Sequence, residues 1–140
     1  MTNLVPSAWK IIPQFDSTCI RETVKFYTEE LHFTLGGLYP DDDPNDEPHF
    51  CSIFIGKKAE ANIYFFECKK ENFHPSAAMI ALGTIELDEF YDLLMAKGTV
   101  RVKEPIADKE WGYRQFSILD IHGNELTFFK FLEGGNPGEE

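Results

Sequence analysis

Residues 110–131 read Glu110-Trp111-Gly112-Tyr113-Arg114-Gln115-Phe116-Ser117-Ile118-Leu119-Asp120-Ile121-His122-Gly123-Asn124-Glu125-Leu126-Thr127-Phe128-Phe129-Lys130-Phe131. Tyr113, Gln115, Ser117 and Leu119 alternate with Arg114, Phe116, Ile118 and Asp120, the period of a strand whose two faces meet different surroundings. His122-Gly123-Asn124 turns the chain, because Gly reaches positive φ without a steric penalty and Asn tolerates it. Residues 125–131 supply the return strand, with aromatics and a Thr that suit a pleated surface. Trp111-Gly112 stands in a loop at the entrance of this hairpin. A large aromatic beside a flexible residue, outside any strand, reads as a binding contact rather than as core.

Working outward, the chain in front of the hairpin divides into two similar halves. Residues 9–15 read as a first strand; Pro13 has no N–H for a ladder, which puts this strand at an edge. Asp16, Ser17 and Thr18 offer helix N-caps, and Ile20, Val24, Tyr27 and Leu31 recur at helical spacing behind them. Residues 33–39 form a second strand weakened by Gly36-Gly37, and 40–48 an acidic, proline-rich loop. Strands at 50–55 and 61–68 complete the half. The second half repeats the order. A strand at 77–85 is apolar enough to be central in its sheet, and a helix at 87–97 has Asp88 and Glu89 at its positive end and Gly98 beyond its close. Its buried face carries Leu87, Phe90 or Tyr91, and Leu94. A short strand at 100–102 and a loop at 103–110 lead back to Trp111.

Strand, helix, three strands, twice over, is an α+β arrangement in which strands outnumber helices. At 140 residues, 43% hydrophobic and 14% aromatic, the chain holds one folded domain with a full core. The net charge of −11 argues against nucleic acid and favours a cationic ligand or plain solubility. Cys19, Cys51 and Cys68 are irregularly spaced and read as small buried hydrophobes in a reducing cytosol, not as a zinc site or a disulfide frame. The start of the chain shows no basic-then-apolar leader, and the longest apolar run, 77–82, is too short to span a bilayer. The expectation is a soluble cytoplasmic protein without a membrane partner.

Taken together, Trp111-Gly112, Arg114-x-Phe116 and Asp120-x-x-Gly123-Asn124-x-Leu126-x-Phe128 resemble the last hairpin of the vicinal-oxygen-chelate superfamily of glyoxalases, bleomycin-resistance proteins and extradiol dioxygenases. Ile121-His122 departs from the Pro-Asp or Pro-Ala usual there. The resemblance covers residues 9–131 and implies a single domain over 1–140, with module one at about 9–69 and module two at about 76–132. The implied fold is a pair of βαβββ modules forming a curled mixed sheet with an open concave cup and the helices outside.

Catalytic members of that superfamily place four metal-facing positions inside the cup, filled by His, Glu or Gln. Aligned on Phe26-Tyr27 and on the Gly123-Asn124 turn, those positions fall here on Ile12, Tyr64, Met79 and Thr127. None is a good ligand for a divalent ion. A slip of one or two residues brings in Gln14, Glu67 or Glu125, which without a histidine still make a poor site. His32, His49, His74 and His122 share no helical or same-strand spacing, and no histidine is expected beside Ser117 to activate it. Neither a metal nor another cofactor is expected. The alternative is a metal-dependent lyase, isomerase or dioxygenase whose ligands lie elsewhere.

Within the superfamily, Ile12-Pro13-Gln14-Phe15, the helix from Thr23 to its Leu31, and Glu110-Trp111-Gly112 look most like the bleomycin-resistance proteins, with Cys19 where Asp is common. Those relatives are metal-free dimers that sequester a large, planar, cationic glycopeptide. The resemblance implies a metal-independent binding protein in which Trp111 stacks on a flat cationic ring. Tyr64, Phe66, Met79 and Phe129 would form the floor, Ser117 would face the cup, and Asp41, Asp42 and Asp43 would attract a positive tail. Read singly, Tyr64 and Phe66 fit a core, and the Asp run fits a solvated loop. A homodimer is also expected, with the arm up to Pro13 exchanged between subunits, because an edge strand with Pro13 follows an apolar Trp9.

Overall fold

The computed structural model describes residues 4–40, 47–57, 61–83 and 86–134. Strands β1 (Gln14–Ser17), β2 (Thr34–Tyr39), β3 (Phe50–Ile55) and β4 (Ala61–Glu67) form one sheet in the order β1-β4-β3-β2. Strands β5 (Ala77–Ala81), β6 (Arg101–Asp108), β7 (Tyr113–Leu119) and β8 (Glu125–Phe131) form a second in the order β5-β8-β7-β6. Helix α1 (Ile20–Lys25), prolonged by a π-helical turn over Phe26–Glu30, belongs to the first sheet; α2 (Glu86–Lys97) belongs to the second. In both, the first strand runs parallel to the last and the other pairs are antiparallel. These are two βαβββ modules of an α+β fold. Among the described residues, no helix is long and apolar enough to cross a membrane.

Alternation decides the faces. Phe15, Cys51, Ile53, Ile63 and Phe65 in the first sheet, and Ile80, Phe116, Ile118, Leu126 and Phe128 in the second, point to the helix side and are buried. They join Ile20, Tyr27, Leu31, Leu87 and Leu94 in one core that crosses both modules. Phe33, just before β2, meets Phe128 of β8 at a ring separation of 6.4 Å. The opposite parity of each strand turns away from the helices and forms an open face that carries Tyr64, Phe66, Gln115 and Phe129.

Four boundaries differ from the sequence reading. The first strand begins at Gln14, not at residue 9, because Pro13 has no N–H and the chain leaves the sheet there. It runs on to Ser17, so the helix cap is Cys19; the Ser17 hydroxyl accepts the Cys19 N–H at 3.1 Å and bonds the Thr23 hydroxyl at 2.7 Å. The strand expected over 77–85 ends at Ala81 and lies at the edge of its sheet; its apolar character comes from Ala78 and Ile80 packing into the core. The stretch read as a loop after residue 102 is mostly strand. β6 passes Pro105 with register shifts between Val102 and Glu104 and between Glu104 and Ala107, which leave the proline no ladder duty on an edge strand. Of the cysteines, Cys51 is buried, whereas Cys19 and Cys68 are only partly so.

The hairpin that marked the sequence also locks the modules. Gly123 stands at φ 101°, and the Asp120 carboxylate accepts the backbone N–H groups of His122, Gly123 and Asn124 at 2.9, 3.0 and 2.9 Å. Its second oxygen accepts the Tyr27 hydroxyl at 2.8 Å and the Asn124 amide at 3.0 Å. Asn124 continues the link, donating to the Asp16 carbonyl at 3.1 Å and accepting the Ser76 N–H at 2.9 Å. Asp120 and Asn124 are both buried, so each polar atom needs these partners.

Candidate functional site

The open faces are aromatic. On the first sheet, Phe50 of β3 meets Tyr64 and Phe66 of β4 at ring separations of 5.0 and 5.2 Å. Antiparallel pairing sets Phe50 opposite Phe66 and Ser52 opposite Tyr64, so the cluster follows from register alone. Phe66 is 41% exposed. On the second sheet, Tyr113 lies stacked on Phe129, centroids 4.7 Å apart and planes 18° from parallel, with Phe131 edge-on to both. Met79, on β5 opposite Thr127, is 53% exposed on the same sheet.

Trp111 sits in the turn between β6 and β7 and is 57% exposed. That turn is held by the Lys109 N–H on the Tyr113 carbonyl at 2.7 Å and by the Gly112 N–H on the Lys109 carbonyl at 3.1 Å. Gly112 at φ 91° supplies the left-handed backbone that the bend requires. The indole N–H donates to the Gln115 side-chain oxygen at 3.3 Å, and Gln115 pairs with Phe129 in the ladder. Trp111 is thereby fixed at its polar edge beside the Tyr113–Phe129 stack, with much of its surface open. The Lys109 ammonium lies 5.8 Å from the indole centroid and 3.4 Å from the Glu104 carboxylate.

The residues singled out from sequence divide as follows. Tyr64 and Phe66 share one cluster; Trp111 in the β6–β7 turn and Phe129 on the second sheet are linked through Gln115; Met79 is on that sheet's edge strand. Ser117 is buried on the open side and exchanges a hydrogen bond with the Thr127 hydroxyl at 2.7 Å, with no histidine in that pair. Asp41, Asp42 and Asp43 lie outside the described residues. Phe50, Tyr113 and Gln115 join Tyr64 and Ser117 on the open faces, and the two-residue alternation that places those two places these as well.

The four positions aligned with metal ligands carry poor donors for a metal. Ile12 lies before β1; in the observed register it is Gln14 that stands opposite Tyr64. Met79 faces Thr127, whose hydroxyl is taken up by Ser117. A phenol, a thioether, an engaged hydroxyl and an amide or alkyl group are poor donors for a divalent cation. Among the described residues, no three His, Cys, Asp or Glu side chains are grouped so as to hold one.

A family profile described as the glyoxalase/bleomycin resistance protein/dioxygenase superfamily matches residues 19–128. Among solved structures, TioX from Micromonospora sp. ML1 superposes with a TM-score of 0.71 at 15% identity, covering 89% of this chain and 100% of its own. A glyoxalase-related enzyme from Clostridium phytofermentans gives 0.71 at 17% identity, with 92% and 99% coverage. A bleomycin-binding protein from Streptomyces verticillus, complexed with copper(II)-bleomycin, gives 0.64 at 16% identity, with 87% and 95% coverage. At these identities the likeness is one of fold. No curated protein matches the sequence.

Proposed function

The chain belongs to the glyoxalase/bleomycin resistance protein/dioxygenase superfamily, and from that premise we propose that it is a metal-independent small-molecule binding protein of the bleomycin-resistance type. It takes up a flat, cationic ligand on its open aromatic face. The observation that carries this reading is the exposed Trp111 indole, tied at its edge by Gln115 beside the stacked Tyr113–Phe129 pair. An indole held in this way offers a rigid plane for stacking at small entropic cost. The poor donors at Tyr64, Met79 and Thr127 support binding over metal-assisted chemistry.

In this reading Tyr64, Phe66, Met79 and Phe129 supply apolar contact area, Ser117 a polar point on the open side, and Asp42 and Asp43 long-range attraction for a cation. The protein acts as a cytoplasmic homodimer with exchanged N-terminal arms, and confers resistance by sequestering a bleomycin-like glycopeptide.

Titration calorimetry with bleomycin, metal-free and then copper-loaded, tests this. Wild type should bind, and Trp111→Ala should weaken binding by about 1–3 kcal/mol, the scale for one lost stacking partner. Changing Asp41, Asp42 and Asp43 together to Asn should slow association and flatten its salt dependence while leaving dissociation nearly unchanged. Absence of heat in every wild-type titration removes bleomycin as the ligand. Metal bound stoichiometrically to protein purified without chelator argues for the enzymatic alternative.

A further inference from the structure

We propose that Lys109 is a charge-selecting residue of the Trp111 site, an internal cation that competes with cationic ligands for the indole and assists flat ligands that carry an anionic group. This rests on the reading of Trp111 as a ligand platform and narrows its ligand: a flat cation binds there against the Lys109 charge, so a ligand that also carries an anionic group beside the ring is held better than a purely cationic one. The electron-rich face of an indole is what a stacked cation uses. Here an ammonium of the chain itself already stands 5.8 Å from the Trp111 centroid. The position is held from two sides. Glu104 accepts from the ammonium at 3.4 Å, and the Lys109 backbone closes the turn through its bonds to Tyr113 and Gly112. The Lys109 side chain is only 22% exposed, so its stem packs along this turn instead of waving in solvent.

The consequence follows from charge bookkeeping at one spot. A flat cation arriving on Trp111 meets the Lys109 charge, and must displace it or stack beside it. If Lys109 is displaced, the ammonium gives up the indole and Glu104 loses its partner, although the incoming cation can replace it there. The exchange swaps one ion pair for another and gains little. A flat anion meets the opposite situation: its ring stacks on Trp111 and its charged group finds the ammonium within reach. Glu104 tempers both effects, because its carboxylate offsets part of the Lys109 charge while the site is free. Removing the Lys109 charge therefore frees the indole face and the Glu104 carboxylate together, and favours cations.

Fluorescence titrations with two flat probes test this, 9-aminoacridine as the cation and 9-anthracenecarboxylate as the anion, on wild type, Lys109→Met, Trp111→Ala and Lys109→Met/Glu104→Gln. Methionine keeps the apolar stem and removes the charge. Lys109→Met should bind the cation about two- to five-fold tighter, the span of one exposed cation–π contact, and the anion weaker by a similar factor. Adding Glu104→Gln should take back most of the gain for the cation, and Trp111→Ala should weaken both probes. Unchanged affinity for both probes in Lys109→Met, alongside weakening in Trp111→Ala, overturns the role of Lys109 and leaves the platform standing. Weaker cation binding in Lys109→Met overturns it likewise. Equal affinities of wild type and Trp111→Ala, or no binding of either probe to wild type and Lys109→Met, overturn the platform itself and the inference with it.

Discussion

The Asp120 carboxylate gathers three backbone N–H groups of its own turn, the Asn124 amide and the hydroxyl of Tyr27, which is 93 positions away in sequence. Hydrogen bonds to a buried charge are among the stronger ones, and the donors left behind have no water to turn to. Asp120→Asn should destabilise the fold by about 3 kcal/mol in urea unfolding at neutral pH. Tyr27 reports on the same contact from the other side. Burial, and then the adjacent Asp120 charge, push its hydroxyl well above the ordinary value of 10.0. The folded state therefore keeps a proton that the unfolded chain releases. Stability from this group is complete below pH 10 and is lost as pH climbs beyond it. Tyr27→Phe should remove that part of the alkaline slope, measured as unfolding free energy from pH 8 to 11. Cys51 adds an earlier slope, since burial raises its thiol from 9.0 to about 12. Sequence reading found the turn, through Gly123 and Asn124, but not the reach of Asp120 to Tyr27. A contact between distant positions leaves no local pattern to read.

At the scale of elements, periodicity served well wherever one face of a strand is buried. The alternation of Phe116 and Ile118 with Gln115 and Ser117 placed β7 and β8 correctly, because burial on one side enforces a two-residue period. It served poorly at edges. β6 carries Lys103, Glu104 and Pro105 in a row and looks like a loop, since an edge strand needs little burial and tolerates a proline between register shifts. Glycines show a similar division. Gly123 has φ 101°, and a Cβ there would meet nothing within 4 Å, so substitution costs backbone strain alone. Gly123→Ala should destabilise by about 1–2 kcal/mol, the usual penalty for an L-residue in left-handed backbone. Gly37 has equally open surroundings and no positive φ. Gly37→Ala should be neutral or should stabilise by about 0.5 kcal/mol, through a less disordered unfolded chain. The thermal midpoint should fall for Gly123→Ala and hold or rise for Gly37→Ala; parallel losses would mean that packing, and not φ, governs both sites.

At the scale of the whole molecule, the doubled βαβββ order was legible in the sequence, whereas the single core shared by both modules was not. The pairing of Phe33 with Phe128 comes from two faces that each look complete in their own half. The arm poses the remaining question. Extending the β1–β4 register back from Gln14↔Tyr64 by three residues would set Ile11 opposite Ala61, yet Ile11 is 88% exposed and Trp9 72% exposed. Next to Ala61 lies a groove of about 570 Å³, lined also by Ile55, Ile80, Leu82 and Phe90, between the start of β4 and the end of β5. Exposed Trp9 and Ile11, on an arm that Lys10 ties to Asn62 at 3.2 Å, and a largely apolar groove that also takes in Lys57 and Glu86 fit an exchange in which each subunit's arm fills the other's groove. Light scattering at micromolar concentration should then give twice the 16.1 kDa of one chain. Removing residues 1–12 should yield a monomer that is still folded, because β1 and the shared core begin later. Trp9 emission should shift to the red when the dimer is diluted to dissociation, and Trp9→Ala should weaken the dimer without lowering the melting point of the monomer. A full-length chain that scatters as a monomer would remove the exchange, and a truncated chain that stays dimeric would place the interface on another surface.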